Sequence, residues 1–519
     1  MASRTDRLKS HFARCKQDNV KFPVPGKRER SISPPPAKRQ AVASRQPSMD
    51  SNVVKTSPDL KHALDVQMAR FFYACNIPFN VAEHPEFKKT VQALRPGYTA
   101  PTRKALGENL LDEVYNEAQD SMKQTLDGKT GTLIQDGWSN IHNDPIVAST
   151  LQVDGKTFFL DSVDTGATSK SAENCKKMCE ESMKTAKEQY NCTVKSIVTD
   201  NAANMCKMRQ ALKEDDPDLA VYGCSAHLLN LLGDDVTPND VIKHVKDIHK
   251  YFPNHHKPSA WLREFPDSRK PQLPGDTRWK SQLTCLETYT ANRRYYVQIC
   301  DDHEDDIDTG IARKIRDIQI YRNAKDLIEK LAPIANAIDV CQSDKTSLAD
   351  ATNTWLSLAA NPLLQAHSNV IDKRMKQAIT VEHLVAYKLH PKYRGTLLTD
   401  DQLASVNDYL ASRNDSYIAT LIAFDAKSNP FPAVYFNDNA ISVAPAIWWK
   451  GMKSYNVSEG FIDIATHLLT SPASSASIER VFSSFGAVHT KARNRLGNVK
   501  AAKLVYCYRM LRGKDELDY

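Results

Sequence analysis

Apolar residues recur at helical spacing in the first patterned part of the chain. They are Leu60, Leu64, Met68, Phe71 and Cys75. Ser57 and Pro58 precede them, and a capping serine followed by proline in the first turn is a typical helix start. A second helical pattern runs from about Thr102 to Gln124. We therefore predict a helical N-terminal region over residues 56–130.

From Gly131 the apolar pattern changes to a period of two, which is typical of β-strands. The candidate strands are residues 132–136, 145–153, 156–163, 194–200 and 220–223. Short links join the first three strands, so we expect an antiparallel meander. Amphipathic helices follow the third, fourth and fifth strands. Such an order predicts an α/β unit with a mixed sheet over residues 131–251.

Residues 252–465 show almost no alternation, and helical patterns dominate, for example over 317–338 and 375–389. We interpret this segment as one large all-helical insertion domain. Residues 466–512 are again helical and would complete the first unit. The predicted fold class is therefore α/β plus α, with the α/β part interrupted by the helical insertion.

Composition and charge restrict the class of protein. Of the 519 residues, 41% are hydrophobic and 25% charged, which is typical of globular proteins. No apolar run approaches the roughly 20 residues of a membrane span, and we see no secretory signal, so no membrane partner is predicted. The 11 cysteines have no repeated short spacing, and we interpret them as reduced thiols. Cys175 and Cys179 lie on the apolar stripe of a predicted helix, which favours core packing.

Residues 1–55 form a predicted disordered basic tail, because Pro, Ser, Lys and Arg dominate and few large apolar residues are present. Two basic clusters lie within the tail, at Lys27–Arg30 and Pro36–Arg39. A solvated charged tail is the simpler interpretation. We favour nuclear import, which predicts a nuclear protein. The net charge of +7 is a weak indication of a polyanionic partner.

Three acidic residues are candidates for chemistry. Asp136 and Asp200 each end a predicted strand, where α/β sheets place ligands. Two carboxylates at close range repel each other, and a hard cation such as Mg²⁺ or Mn²⁺ would relieve that repulsion. The alternative is that each aspartate caps the following turn or helix. Glu479 lies beside the apolar stripe of a predicted helix and could point toward the sheet, but by itself an exposed helix residue is the simpler interpretation.

Two further pairs have a candidate role. Cys224 and His227 stand where the fifth strand meets a helix, but no second half of a zinc site is evident, so we predict a polar pair there and no zinc. Arg278 and Trp279 follow a Pro-Gly-Asp turn. A tryptophan beside an arginine can stack on an extruded base, although such a tryptophan is more often part of the core.

Taken together, these motifs resemble the hAT superfamily of cut-and-paste DNA transposases. The segments that carry the resemblance are Asp136–Ser139, Val198–Asn204, Cys224–His227, Thr277–Trp279, Ser474–Ser483 and Asn494–Leu496. Pro78–Val81 and His84–Phe87 also look like the family's N-terminal part. The similarity runs from about residue 57 to residue 512, and the order and spacing of the motifs make it more specific than any single motif.

The resemblance implies an RNase H-like core interrupted by a helical insertion. It implies that Asp136, Asp200 and Glu479 are a catalytic triad that binds Mg²⁺ or Mn²⁺ in a two-metal site, with Cys224 and His227 beside it. Trp279 resembles the tryptophan that stacks on a flipped base. The implied activity is cleavage and strand transfer of double-stranded DNA, with transposon ends and target as partners.

Basic and apolar residues near the C-terminus have two interpretations each. Lys491, Arg493, Arg495 and Lys500 are candidates for contacts with DNA phosphates, or they are solvated helix charges. Residues 466–512 correspond to the family's dimerisation region, which implies a homodimer or a higher homo-oligomer. Their apolar stripe (Leu496, Val499, Leu504 and Leu511) would pack on a partner or on the chain's own core.

The N-terminus departs from the family pattern. Leu8–Cys15, with His11 and Cys15, resembles only the second half of the BED-type zinc finger with which family members often begin. Either the gene model is truncated or the finger has been lost, and we predict no zinc there. Three hypotheses follow: an active transposase, a domesticated non-catalytic descendant that binds DNA and dimerises in the nucleus, or an unrelated helical interaction protein. The ordered motif set argues against the third.

Overall fold

The computed structural model describes residues 56–275, 280–490, 493 and 496–512. The predicted basic tail, with its two basic clusters and its finger-like segment, lies outside these residues. Five strands are present, and we number them β1 (Thr130–Ser139), β2 (Pro145–Val153), β3 (Lys156–Asp164), β4 (Thr193–Thr199) and β5 (Ala220–Gly223). All five match the predicted strands to within a few residues.

Helices make up most of the remaining described chain. In the N-terminal region and around the strands they are α1 (Pro58–Ala74), α2 (Pro85–Leu94), α3 (Arg103–Gly107), α4 (Asn109–Leu126), α5 (Ala172–Tyr190), α6 (Ala203–Asp215) and α7 (Ser225–Val236). Further along the chain they are α8 (Asn239–Asn254), α9 (His256–Glu264), α10 (Lys280–Asp302), α11 (Thr309–Arg316), α12 (Ile318–Gln342), α13 (Leu348–Ala359), α14 (Ser368–Ala378), α15 (Val381–Leu389), α16 (Asp400–Arg413), α17 (Ser416–Asp425), α18 (Asp438–Ile441), α19 (Pro445–Gly451), α20 (Glu459–Thr470), α21 (Ala476–Val488) and α22 (Asn498–Arg512). Short 3₁₀ turns lie at Phe79–Glu83, Glu304–Asp306, Pro362–His367, Ala433–Phe436 and Met452–Tyr455.

The strands form one mixed sheet in the order β3-β2-β1-β4-β5. The β1–β2 and β2–β3 pairs are antiparallel, which confirms the predicted meander, whereas β1–β4 and β4–β5 are parallel. Leu133, Ile134, Ile197 and Val198 are completely buried. Because successive strand residues face opposite sides, burial of both members of each pair means that helices cover both faces of the sheet. The fold class is therefore α/β plus α.

The N-terminal helices pack on the C-terminal helix α22. The rings of Tyr115 (α4) and Tyr506 (α22) lie 5.0 Å apart, and Lys503 pairs with Asp112 at 2.6 Å. The predicted helix over 102–124 is two helices, because the backbone breaks at Glu108, where φ is −130° and ψ is −105°. Helix α2, which begins at Pro85 after the capping residue His84, was not predicted.

The described part of the segment from Asn239 to Thr470 consists of helices joined by turns and loops, and residues 268–275 form one of these loops. Its first half contributes to a second hydrophobic core that includes the completely buried residues Leu286, Leu331 and Trp355. One isolated β-bridge joins Ser347 to Pro472, just before α21. None of the helices in the described ranges is long and apolar enough to cross a membrane.

The cysteines in the described residues are free thiols. Cys175 and Cys179 are 8% and 0% exposed, which confirms the prediction that they belong to the core. The apolar stripe near the C-terminus largely packs within the chain, since Leu504 is buried and Leu496 and Leu511 contact the main core. Val499 is 76% exposed. Packing on the chain's own core, one of the two predicted alternatives, therefore accounts for three of these four residues.

Candidate active site

Asp136 and Asp200 lie at the same edge of the pairing between the parallel strands β1 and β4. Asp200 directly follows β4, as predicted, whereas β1 continues for three residues beyond Asp136, because Gly137 to Ser139 still pair with β2. Ile134 on β1 is paired with Val198 on β4, and each aspartate lies two residues further along. Two residues are one full repeat of a strand, so each aspartate points to the same face as its paired residue. Adjacent strands are about 4.8 Å apart, which brings the two carboxyl groups close together.

Helix α21 brings Glu479 to this edge of the sheet through an aromatic contact. The ring of Trp138, two residues after Asp136, stacks on Phe482 with 4.4 Å between centroids and lies 4.8 Å from Phe485. Both phenylalanines belong to α21 and follow Glu479 by one and two helical turns. The tryptophan after the first aspartate therefore fixes the helix that holds the third acidic residue. All three acidic side chains are partly buried.

The loop before α21 is held at both sides. The Ser475 N–H donates to the Cys224 Sγ at 3.4 Å, and the Ser225 N–H donates to the Ala473 carbonyl at 3.1 Å. On the other side, the Ser474 hydroxyl donates to the Cys341 carbonyl at 2.6 Å. Cys224 thus links the end of β5 to the start of α21, a structural role that the sequence did not reveal.

Burial raises the pKa of Asp136 from its ordinary 3.8 to about 7, and the carboxylates of Asp200 and Glu479 add to this rise. A hydrogen bond from the Gly137 N–H and the Lys170 ammonium act in the opposite direction. Asp200 and Glu479 therefore both lie within electrostatic range of Asp136. Burial is the chief reason that the pKa of Cys224 is raised, and the negative charge of Asp136 adds to this rise.

Lys170 is a basic residue at this site that the sequence did not single out. A Cβ atom built on Gly137 would lie 3.6 Å from the Lys170 Nζ, which places the ammonium group next to the backbone after Asp136. The side-chain amide of Asn204 donates to the Lys170 carbonyl at 2.9 Å and holds this loop. Because Lys170 lies in a loop without periodicity, only its charge could have indicated a role.

Asn201 and Arg209 fix the backbone around Asp200. The Asn201 amide donates to the Cys224 carbonyl at 2.9 Å, and the Arg209 guanidinium donates to the Thr199 hydroxyl at 2.6 Å and to the Asp200 carbonyl. Gly223 allows this arrangement, because a Cβ there would lie only 1.8 Å from the Asn201 Oδ1. The asparagines of the Val198–Asn204 motif therefore connect neighbouring loops.

One oxygen of each aspartate accepts a hydrogen bond from a nearby backbone N–H. The Asp136 Oδ1 accepts from the Gly137 N–H at 2.7 Å, and the Asp200 Oδ1 accepts from the Ala202 N–H at 3.1 Å, just before α6. Asp200 therefore supports the turn before α6, as the alternative predicted, whereas Asp136 lies inside β1 and caps neither a turn nor a helix. Over the described ranges, no three His, Cys, Asp or Glu side chains converge closely enough to hold one ion. Binding of a cation by all three carboxylates would therefore require side-chain rotation.

Among the remaining predicted residues, His227 and Arg493 lie in the described part of the chain. His227 is half-buried in the first turn of α7, and its backbone N–H is directed at the Cys224 sulfur. Arg493 donates to the Asn76 carbonyl at 2.7 Å and to the Val488 carbonyl at 3.4 Å, so it joins the N-terminal region to the end of α21. Arg278, Trp279, Lys491 and Arg495 lie outside the described residues.

Two family models match the chain. A model described as a domain of unknown function (DUF659) matches residues 101–250, which hold all five strands. A model of the hAT family C-terminal dimerisation region matches residues 432–511, which hold α21 and most of α22. No curated protein matches the chain. The two matched segments contain all three clustered acidic residues.

Proposed function

Starting from the chain's membership of the hAT superfamily of transposases and transposase-derived proteins, we propose that it is a catalytically active DNA transposase with an RNase H-like core. The proposed activity is divalent-metal-dependent cleavage and strand transfer of transposon-end DNA. The single observation that supports it most is the clustering of Asp136, Asp200 and Glu479, which come from two neighbouring strands and from a helix far along the chain.

The donor set fits hard divalent cations. Carboxylate oxygens are the ligands that Mg²⁺ and Mn²⁺ prefer, and three neighbouring carboxyl groups repel one another in their absence. Asp136, Asp200 and Glu479 would hold the cations. When bound, such cations activate an attacking water or 3′-hydroxyl and stabilise the leaving oxygen of an in-line displacement. Only one oxygen of each aspartate accepts a described backbone hydrogen bond, so a second oxygen of each remains for a cation.

The residues around the triad keep it in place for the reaction. Trp138 holds α21 against β1, which fixes the backbone of Glu479. Arg209 and Asn201 hold the end of β4, which fixes Asp200. Lys170 places a positive charge beside Asp136, where it offsets part of the charge of the carboxylates or of an incoming phosphate.

We assign double-stranded DNA as substrate and partner, and we place the protein in the nucleus, where the two basic clusters of residues 1–55 would direct it. The match to the dimerisation region indicates a homo-oligomer. Most of the apolar stripe on α22 is covered within the chain, so we expect the subunits to meet through other surfaces, with exposed Val499 as a candidate contact.

The decisive experiment is a nicking assay on DNA that carries the inverted repeats flanking the gene. We expect the wild-type protein to nick this DNA with Mg²⁺ or Mn²⁺ and not with EDTA. Asp200→Asn should lose the activity, whereas Asp326→Asn, an exposed position on α12, should retain it. Equal nicking by Asp200→Asn, or no nicking by any of the three proteins, would favour a domesticated, non-catalytic descendant.

A further inference from the structure

A basic cleft lies between the N-terminal helical region and the C-terminal segment. Its volume is about 760 Å³, and its walls include Phe79, Arg103 and Lys104 from one side and Arg493 and Lys500 from the other. Four basic side chains and one acidic side chain, Glu108, line it. The Lys500 ammonium reaches across the cleft, since a Cβ built on Gly107 would lie 3.8 Å from its Nζ.

Most of this positive charge has no ionic partner. Arg103 lies 3.5 Å from the Glu83 carboxylate, but within the described part of the chain no acidic group pairs with Lys104 or Lys500. Arg493 binds the carbonyl oxygens of Asn76 and Val488, which are uncharged and do not neutralise its guanidinium. Uncompensated charges in a concave surface concentrate the positive potential and attract anions.

The position of the cleft relative to the acidic residues suggests which anion it binds. Val488 follows Glu479 by nine residues on α21, which is about 13 Å at 1.5 Å per residue. Arg493 contacts the Val488 carbonyl at the cleft wall. The cleft therefore lies on the order of 15 Å from Glu479, which is roughly the length of four to five base pairs at 3.4 Å each.

We propose that this cleft binds backbone phosphates of double-stranded DNA a few base pairs away from the acidic triad. The proposal rests on the proposed function, since it extends the path of the same substrate. The chain's own N-terminal tail is an unsuitable occupant, because residues 1–55 are rich in Lys and Arg and would be repelled. Lys104 and Lys500 supply the phosphate contacts, and Arg493 joins the two walls of the cleft.

The test measures how the affinity for a fluorescein-labelled duplex depends on KCl concentration, in EDTA so that no cleavage occurs. Each lost phosphate contact lowers the slope of log K against log salt by about 0.9. We expect the double variant Lys104→Gln/Lys500→Gln to lower the slope by about 2, and Lys104→Arg/Lys500→Arg to keep it. The matched control is Lys123→Gln/Lys376→Gln, which removes two exposed lysines with no described ion pair.

An unchanged slope in the cleft variant, with a thermal midpoint like that of the wild type, overturns the proposal. A slope that falls equally in the control overturns it too, because the effect would then come from net charge. If the double variant does not fold, Lys104→Gln alone, at an exposed position, should lower the slope by about 1. Metal-dependent nicking with an unchanged slope would reject DNA binding by the cleft but support the proposed function. A lowered slope without nicking would support DNA binding by the cleft but reject the proposed function.

Discussion

Replacing Asp136 with asparagine should stabilise the metal-free protein at neutral pH. Folded Asp136 keeps its proton up to about pH 7, whereas the unfolded residue releases it near 3.8. The contribution of this group to the free energy of unfolding is therefore greatest below pH 4, and it is lost as the pH rises to about 7. An asparagine side chain does not titrate in this range, so the Asp136→Asn variant would not lose this contribution.

The size of the effect follows from the pKa. A rise from 3.8 to about 7 corresponds to roughly 4 kcal/mol at about 1.4 kcal/mol per pKa unit. Asp136 is partly exposed, and solvent screening reduces this to about 2 kcal/mol. The unfolding entropy of a chain this long is about 1 kcal/mol per degree, so the thermal midpoint should change by about 2 °C.

The assay compares the thermal midpoints of Asp136→Asn and wild type in EDTA between pH 4 and pH 8. As the pH rises across this range, we expect the thermal midpoint of the variant to increase relative to that of the wild type. Most of this change should be complete by pH 7. Mn²⁺ at pH 7.5 should raise the midpoint of the wild type more than that of the variant. Asp326→Asn removes the same formal charge from an exposed position and should show neither effect. A difference between Asp136→Asn and wild type that does not vary with pH would refute the reasoning.

Three further variants test the surroundings of the triad. Lys170→Gln should raise the pKa of Asp136 in the same pH series, because the ammonium group lowers that pKa. Lys170→Arg keeps the positive charge and should leave the pKa unchanged. An unchanged pKa in the glutamine variant would contradict the placement of Lys170. Gly223→Ala should destabilise by about 2 kcal/mol, since its Cβ would displace Asn201. Gly451→Ala, which meets nothing within 4 Å, is its control, and equal thermal midpoints would count against this packing. Trp138→Ala should destabilise by about 3 kcal/mol and abolish nicking, whereas Trp138→Phe should keep part of both; full nicking by the alanine variant would show that α21 is held by other contacts.

The strands of the sheet could be predicted from the sequence because each is defined by a local pattern. Alternation over residues 145–153 and 156–163 is visible within ten residues, and so is the turn at Gly155 between them. The antiparallel meander followed from the short links. The break at Glu108 could not be predicted, because apolar residues on both sides of it keep the helical period. Residues 85–94 carry Phe87, Val91 and Leu94 at helical spacing after Pro85, so their helix could have been predicted but was missed.

The position of Glu479 could not be derived from local pattern. It depends on the contact of Trp138 with Phe482 and Phe485, and nothing in the sequence indicates which of many apolar stripes packs against which. Only the resemblance to a family placed Glu479 near the two aspartates. Lys170 and Arg209 were missed for a related reason, because an isolated basic residue in a loop or on a helix face is usually solvated.

The acidic cluster itself bears on the choice between an active transposase and a non-catalytic descendant. Without a cation, burial of Asp136 beside Asp200 and Glu479 opposes folding by about 2 kcal/mol, and a single change to asparagine would relieve it. The backbone hydrogen bonds at both aspartates need only one oxygen each, and asparagine has an oxygen that can accept the same hydrogen bonds. These hydrogen bonds therefore explain a polar residue at each position, but not two carboxyl groups near a third. Residues that destabilise a fold in this way are typical of functional sites, so the arrangement favours the catalytic proposal.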